Sequence, residues 1–228
     1  MRGLEWDNDG VKIDDWQLHH LRFADDIVII TSNISQAERM LANFDKSCGS
    51  NAAEDEACGE VGLRLNHKKT MFMENGFVDN APFMLNGINI SECSSFVYLG
   101  REVNMMNDLA PELSRRKRAA WGAFKSIEDV AKRLKNTRLR AHLFDSTVLP
   151  ALTYASETWS LRKQDEKSLS VTQRAVERAM LGITRITQVR EGIRSSELRL
   201  RSKIRDAVFH AKMSKIRWAG HVMRLNDN

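Results

Sequence analysis

The sequence predicts an α+β protein: a small, largely antiparallel sheet with one or two covering helices, followed by an all-helical region. Short segments of alternating or β-branched residues fill the first part of the chain, and Asn86-Gly87 between two of them is a strong hairpin turn. From Pro111 onward, apolar residues recur at helical spacing instead. We therefore place a boundary near residue 105.

The composition is that of a globular protein of one or two domains, since 42% of the 228 residues are hydrophobic and 29% are charged. No apolar stretch approaches the length of a membrane span, so no membrane partner is expected. Three cysteines without metal-ligand spacing indicate reduced thiols. With no targeting signal visible, we expect an intracellular protein, nuclear or cytoplasmic.

Charge divides the chain more sharply than the net charge of +5 suggests. Residues 1–95 carry 8 Lys and Arg against 16 Asp and Glu, whereas residues 96–228 carry 27 against 14. An acidic part joined to a basic part predicts a metal-binding portion and a polyanion-binding portion. A pair of ordinary solvated surfaces is the alternative.

The most distinctive stretch is Leu21–Ile30, in which Ala24, Asp25 and Asp26 separate two strand-like segments. This pattern predicts a hairpin with both carboxylates at its tip. Two negative charges beside apolar residues are unfavourable unless water or a cation satisfies them, and a divalent cation with oxygen ligands is the obvious partner. A solvated Asp-Asp turn is the competing interpretation, and the residues alone favour it.

Other elements of the first region follow from local pattern. A strand at residues 11–14 is expected to pair with residues 17–23, and His19 and His20 should then point to opposite faces. A helix is expected to begin at Ser35 as N-cap, because Glu38 stands three residues later. Its apolar face should comprise three residues, Met40, Leu41 and Phe44.

The helical region begins with Pro111 in a first turn, and its first helix has an apolar face that includes Ala120 and Phe124. Further helices are expected at 137–159, interrupted near Pro150, at 165–181 and at about 196–218. A separate stripe of the first helix carries cations that could track a phosphate backbone, although basic helix faces are often only solvated. Its residues are Arg115, Arg116, Lys117, Arg118, Lys125 and Lys132.

Three ordered motifs carry a family resemblance. They are Phe23-Ala24-Asp25-Asp26, then Gly62–Thr70, then Phe96–Gly100. Their succession resembles the palm of reverse transcriptases of non-long-terminal-repeat retrotransposons, most closely the RTE type, and the likeness covers nearly the whole chain. It implies a partial palm at residues 1–105, thumb-like helices at 106–160 and a basic helical C-terminal region at 161–228.

The resemblance also implies site roles. Asp25 and Asp26 would be catalytic ligands of two Mg²⁺ ions in the complete enzyme. Lys69 would act on the departing pyrophosphate, although an exposed loop lysine fits equally well. The primer-gripping hairpin would comprise Tyr98, Leu99 and Gly100. An RNA template, a DNA primer and deoxynucleoside triphosphates are the implied partners.

The sequence departs from the family pattern in two ways that bear on catalytic activity. Residues 48–58 look like an insertion, and the strand that supplies a third aspartate, together with the fingers, is expected before residue 1. We therefore expect the free chain to bind nucleic acid but to polymerise poorly or not at all. A non-catalytic nucleic-acid-binding remnant and a translated fossil without a stable fold remain the alternatives.

Overall fold

The computed structural model describes Trp6 and residues 9–47, 65–76 and 82–225. These residues form an α+β protein with two compact units. The first unit ends at Leu99 and also takes in Val103–Asn107, and the second comprises Gly100–Glu102 and the chain from Asp108. The expected insertion at 48–58 and the Gly62–Arg64 part of the second motif lie outside the described residues.

The first unit contains short strands and one described helix, α1 (Ile34–Ser47). All ten described strands are two to four residues long, and only in the last of them do two residues, Arg101 and Glu102, belong to the second unit. They are β1 (Val11–Ile13), β2 (Trp16–Leu18), β3 (His20–Phe23), β4 (Asp26–Ile29), β5 (Met71–Phe72), β6 (Met84–Leu85), β7 (Ile88–Asn89), β8 (Ser91–Glu92), β9 (Ser95–Tyr98) and β10 (Arg101–Asn104).

The described strands pair two by two rather than in the one small, largely antiparallel sheet expected from the sequence. Hairpins join β1 to β2, β3 to β4 and β6 to β7, and β9 pairs with β10, while β5 and β8 are parallel. The prediction that residues 17–23 pair with the first strand was wrong in part. Residues 16–18 (β2) pair with β1, whereas residues 20–23 (β3) pair with β4. Two-stranded hairpins this short have few ladder hydrogen bonds and are only marginally stable alone. Packing of β4 and β6 side chains against α1 therefore stabilises this part of the first unit.

Helix α1 organises the core of the first unit. Met40, Leu41 and Phe44 are buried, as their spacing predicts. Ile29 and Leu65 pack against both small clusters that these residues form. The cap, however, differs from the expected one.

The helix is capped by Asn33, whose Oδ1 accepts the Gln36 backbone N–H at 2.8 Å, so the prediction of Ser35 as N-cap was wrong. Polar contacts then fix the hairpins on α1: the Glu38 carboxylate accepts the Met84 backbone N–H at 2.8 Å, and the Asn86 amide donates to Asp45 at 2.9 Å.

The second unit is helical, and its helices share one hydrophobic core on both sides of residue 160. Phe124, Phe144, Val148, Trp159 and Val176 are buried in it. The helices are α2 (Ala110–Arg133), α3 (Thr137–Leu152), α4 (Lys163–Leu181), α5 (Arg185–Arg190), α6 (Ser195–Ser202) and α7 (Ala207–Leu225), with a short 3₁₀ turn at Ser156–Thr158.

The last of the expected helices was wrong as a single element. It divides into α6 and α7 at Lys203, which adopts a positive φ of 58°. Asp206 then caps α7 by accepting the Phe209 backbone N–H at 2.8 Å. Burial acts to raise the pKa of Asp206, but this hydrogen bond and the paired Arg199 outweigh it and hold the pKa below its ordinary value.

Buried polar groups join these helices. The Gln173 amide donates to the Arg205 carbonyl at 2.6 Å and accepts the Ala207 backbone N–H at 2.8 Å, which satisfies the link between α6 and α7. The fully buried Glu177 pairs with Arg199. Burial raises the pKa of Glu177, with the Arg199 guanidinium opposing that shift. Among the described helices, none is both long and apolar enough to cross a membrane.

Candidate active site and nucleic-acid interface

The acidic hairpin has the form that the sequence predicts. Phe23 pairs with Asp26 across β3 and β4, which leaves Ala24 and Asp25 as a two-residue turn. Ala24 adopts a positive φ of 52°, the backbone sign that two-residue hairpin loops require at their first position. Asp25 therefore sits in the turn and Asp26 opens β4, so the two carboxylates are adjacent at one end of the hairpin.

The surroundings of these carboxylates are more open than expected. Asp25 and Asp26 are exposed, and so is Phe23, at 62%. In β4, Ile27 and Ile29 are half-buried and pack against the cluster of Trp6, Met40 and Phe44, so the open side of the hairpin is β3. In the described part of the chain neither carboxylate forms an ion pair, and the Arg22 guanidinium bonds instead to the Ala24 carbonyl at 3.4 Å.

The two aspartates are the right type of ligand for Mg²⁺, but two carboxylates are too few for a two-ion site. Carboxylate oxygens are the ligands that Mg²⁺ prefers, and solvent can reach both aspartates. Among the residues that the structure describes, however, no three His, Cys, Asp or Glu side chains are grouped so as to hold a metal ion. Asp25 and Asp26 alone therefore do not make the carboxylate cage of a two-ion site.

A second acidic hairpin tip lies nearby in sequence and was not singled out by sequence reasoning. Ile13 pairs with Trp16, so Asp14 and Asp15 form the two-residue turn between β1 and β2. Asp14 has a φ of 52°, the same as Ala24, and both turn aspartates are exposed. The Asp14-Asp15 turn can therefore serve as a control for the Asp25-Asp26 tip in the same protein.

The two neighbouring histidines do not point to opposite faces, so that prediction was wrong. Their Nδ1 atoms are 2.6 Å apart and their ring centroids 4.5 Å apart, and Trp6 meets both rings edge-on. The reason is that His19 lies between β2 and β3, where strand alternation is interrupted. Burial, followed by the charges of His19 and Arg22, lowers the pKa of His20.

Lys69 lies in a turn that Asn66 closes, because the Asn66 carbonyl accepts the backbone N–H groups of Lys69 and Thr70, each at 2.9 Å. Its side chain is exposed. Within the described residues, no hydrogen bond or ion pair joins Lys69 to Asp25 or Asp26. Its catalytic role stays a prediction.

The Tyr98-Leu99-Gly100 segment closes a hairpin between β9 and β10. Leu99 and Gly100 are the turn residues, with φ values of 47° and 79°. The hairpin is therefore present where the resemblance puts it, and its primer-gripping role stays a prediction.

Gly100 belongs to a buried polar group that we call the Glu112 cluster: Gly100, Glu112, Arg115, Arg116 and Tyr154. The Glu112 carboxylate is fully buried and pairs with Arg116 at 2.6 Å and with Arg115 at 3.2 Å. Both guanidinium groups also donate to the Gly100 carbonyl. The Arg116 guanidinium stacks over the Tyr154 ring, 4.7 Å from its centroid.

This cluster corrects part of the predicted nucleic-acid-binding row. Arg116 is buried and Arg115 is half-buried, and both are bound within the helical unit rather than presented to solvent. Arg115, Arg116, Lys117 and Arg118 are consecutive, and consecutive helical residues point about 100° apart, so they cannot all face one strand of nucleic acid. Lys132 is exposed and pairs with Glu128 at 2.6 Å, which raises the pKa of Lys132.

Three of the predicted residues do share a solvent-facing stripe of α2. Lys117, Arg118 and Lys125 are exposed and line one shallow depression of about 500 Å³. Trp121 lies in the middle of it, with its ring edge-on to the buried Phe124 at 5.9 Å. Trp121 is half-buried, so part of its ring remains accessible beside the cations. Cations beside an accessible aromatic ring are a combination that binds single-stranded nucleic acids, through phosphate contacts and base stacking. We call these four residues the α2 stripe.

Comparison with known proteins agrees with a mobile-element origin. A protein of Caenorhabditis elegans named as transposon-derived is 34% identical to the chain over 221 residues, which is 95% of this chain and 76% of that protein. No protein-family model matches the chain, and no solved structure matches it. The chain therefore belongs to the family of this C. elegans protein.

Replacing Glu112 by Gln should lower the free energy of unfolding by about 3 kcal/mol, because two guanidinium groups then lose the charge that compensates their burial. Urea denaturation followed by circular dichroism measures this change. Glu128→Gln is the control, since it breaks an exposed pair on the same helix and should cost less than about 1 kcal/mol. Equal losses in the two variants would show that the Glu112 cluster is not a stabilising centre.

Replacing Gly100 by Ala should destabilise the protein by more than the same change at Gly87. Both glycines have a positive φ, 79° and 80°, but a Cβ at residue 100 would lie 2.8 Å from the Tyr154 ring, whereas residue 87 has open space. Backbone strain alone costs about 1 kcal/mol in each variant. Denaturation curves should show an additional loss only for Gly100→Ala, and equal curves would contradict the close packing at Tyr154.

Proposed function

We propose that the chain is part of an RNA-directed DNA polymerase of a transposable element, with Asp25 and Asp26 as metal ligands of its catalytic hairpin. The observation that carries the proposal is the two-residue turn that puts both carboxylates at the end of the β3–β4 hairpin. The order of elements adds support, since α1 follows this hairpin and the β9–β10 hairpin precedes the helical unit. The transposon-derived relative is consistent with it.

In such an enzyme two Mg²⁺ ions stabilise charge on the attacking and leaving oxygens of nucleotidyl transfer. Asp25 and Asp26 would supply carboxylate oxygens, and a further carboxylate would have to complete the site, because the described residues bring no third one to this tip. Lys69 is the proposed cation for the pyrophosphate. RNA template, DNA primer and deoxynucleoside triphosphates are the proposed partners.

A test of the metal-ligand role compares the two acidic tips in one sample. Titration with Mn²⁺, a paramagnetic stand-in for Mg²⁺, should broaden the NMR signals of backbone amides around Asp25 and Asp26 before those around Asp14 and Asp15. Asp25→Asn should abolish the difference. Equal broadening at the two tips would make the Asp25-Asp26 tip an ordinary acidic turn.

Primer extension tests the same proposal at the level of activity. With two grouped carboxylates, this chain should extend a primer on an RNA template weakly or not at all with Mg²⁺. Robust extension that Asp25→Asn abolishes would show that the chain completes the site with residues other than those grouped at the tip. Robust extension that survives the substitution would refute the assignment of Asp25.

A non-catalytic nucleic-acid-binding protein is the second candidate, and the α2 stripe is the observation that favours it. The stripe presents cations on a described surface independent of the acidic tip. Binding to RNA that is unchanged by Mg²⁺ and by Asp25→Asn, together with equal Mn²⁺ broadening at the two tips, would select this candidate over the polymerase.

Removal of the α2 stripe charges should weaken nucleic-acid binding in either case. For Lys117→Gln, Arg118→Gln and Lys125→Gln combined, the slope of log affinity against log salt for single-stranded RNA should fall in magnitude by about 2, since each phosphate contact contributes roughly 0.7. Fluorescence anisotropy measures it. The control variant replaces three exposed basic residues outside the stripe, Lys135, Lys167 and Arg224, by Gln. If the two variants have the same slope, the α2 stripe is not the RNA-binding surface.

A further inference from the structure

A second basic depression lies in the helical unit, between α4 and α5. It has a volume of about 470 Å³. Arg174 and Arg178 project from α4 one helical turn apart, and Arg185 stands at the first residue of α5. Val171 and Val189 supply apolar surface at the same depression. We call it the α4–α5 groove.

Hydrogen bonds fix the walls of this groove. The Arg178 guanidinium donates to the Gln188 side chain at 3.3 Å, and the Gln188 amide donates onward to the Ile193 carbonyl at 3.1 Å. The turn between α4 and α5 is closed by the Ile183 backbone N–H, which donates to the Arg178 carbonyl at 2.9 Å. The arginines are therefore presented by a frame that is already ordered before any ligand binds, which lowers the entropy lost on binding.

The charge of the groove is unbalanced. No acidic residue lines it, and in the described part of the chain Arg185 forms no ion pair. Three acids lie close in sequence but do not line the groove. Glu177 is buried against Arg199 and is within electrostatic range of Arg174, Glu197 pairs with Arg201, and Glu191 follows the last turn of α5. Three guanidinium groups at one depression repel one another, and an anionic ligand removes that repulsion.

We propose that the α4–α5 groove binds the phosphate backbone of a nucleic acid strand, as a contact separate from the α2 stripe. Arginine forks match phosphate oxygens in paired geometry, and all three cations here are arginines. The apolar Val171 and Val189 beside them suit the sugar edges of a strand. The proposal rests on the proposed function only in requiring that the chain bind nucleic acid.

The test uses the whole chain and a fluorescently labelled single-stranded RNA of about 20 nucleotides. The groove variant combines Arg174→Gln, Arg178→Gln and Arg185→Gln, and its control is the Lys135, Lys167 and Arg224 variant, which loses the same charge. Anisotropy titrations between about 50 and 200 mM salt should show at least a tenfold weaker affinity than the control and a salt slope smaller by about 2. Circular dichroism melts establish that each variant is folded.

A charge-preserving variant, in which the same three arginines become lysines, covers the case of a groove variant that fails to fold. It should retain most of the salt slope while losing part of the affinity, because lysine keeps the charge without the paired geometry. Millimolar inorganic phosphate should not displace the RNA from the wild-type chain. Displacement at that concentration would identify a site for a free phosphate instead and would overturn the proposal.

The remaining outcomes separate this proposal from the previous one. If the α2 stripe variant binds RNA weakly while the groove variant equals its control, the groove proposal fails and the α2 stripe stands. If the groove variant alone weakens binding, the groove stands and the α2 stripe fails. If the wild-type chain binds polyglutamate through the three arginines but does not bind RNA, the groove receives an acidic protein segment, and both nucleic-acid proposals are overturned.

Discussion

The helical unit depends on compensating one buried charge. The carboxylate of Glu112 has no exposed surface, so its ionised form is tolerable only with hydrogen-bond donors on all sides. Arg115 and Arg116 supply two of them, and the backbone N–H of Glu102 supplies a third at 2.9 Å. The same guanidinium groups reach the Gly100 carbonyl, so the requirement of one carboxylate also fixes residues 100–102 on the helical unit. Gly100 and Glu102 are in this way held by the same interactions that compensate the buried charge of α2.

Features set by a few neighbouring residues could be predicted from the sequence. The Asn86-Gly87 hairpin and the Asp25-Asp26 hairpin form as expected, because two-residue turns depend on the backbone preferences of the turn residues and on alternation in the flanking strands. Pro111 in the first turn of α2 and the end of α4 before Gly182 are also as expected, since helix ends are determined within one turn. These features include the candidate acidic tip but not its surroundings.

Features set by partners distant in sequence could not be predicted in this way. Nothing local distinguishes Arg116, which is buried over Tyr154, from Lys117, which is exposed, because the difference lies in which side of α2 meets α3. The division of the last helix at Lys203 depends on Gln173 of α4, which satisfies the backbone groups of Arg205 and Ala207. One local signal was available: Asp206, alone within a basic run, is a typical N-cap residue. The exposed Phe23 and the pairing of strands two by two likewise follow from the packing of the first unit rather than from any single segment.

The basic residues of the helical unit therefore fall into two groups that composition cannot separate. Arg116 and Arg199 have their guanidinium groups committed to buried carboxylates, and their charge is cancelled where it stands. Lys117, Arg118, Lys125 and Arg185 are among the cations that are exposed without ion pairs in the described chain, and such cations dominate the field that a polyanion meets. The excess of 13 positive charges over residues 96–228 is thus concentrated at fewer positions than the count of cations suggests. Because screening confines such a field to about 10 Å at ordinary salt, what matters for binding is where uncancelled cations cluster. The α2 stripe and the α4–α5 groove are two such places, and at each of them the cations stand beside apolar side chains that a bound strand could cover.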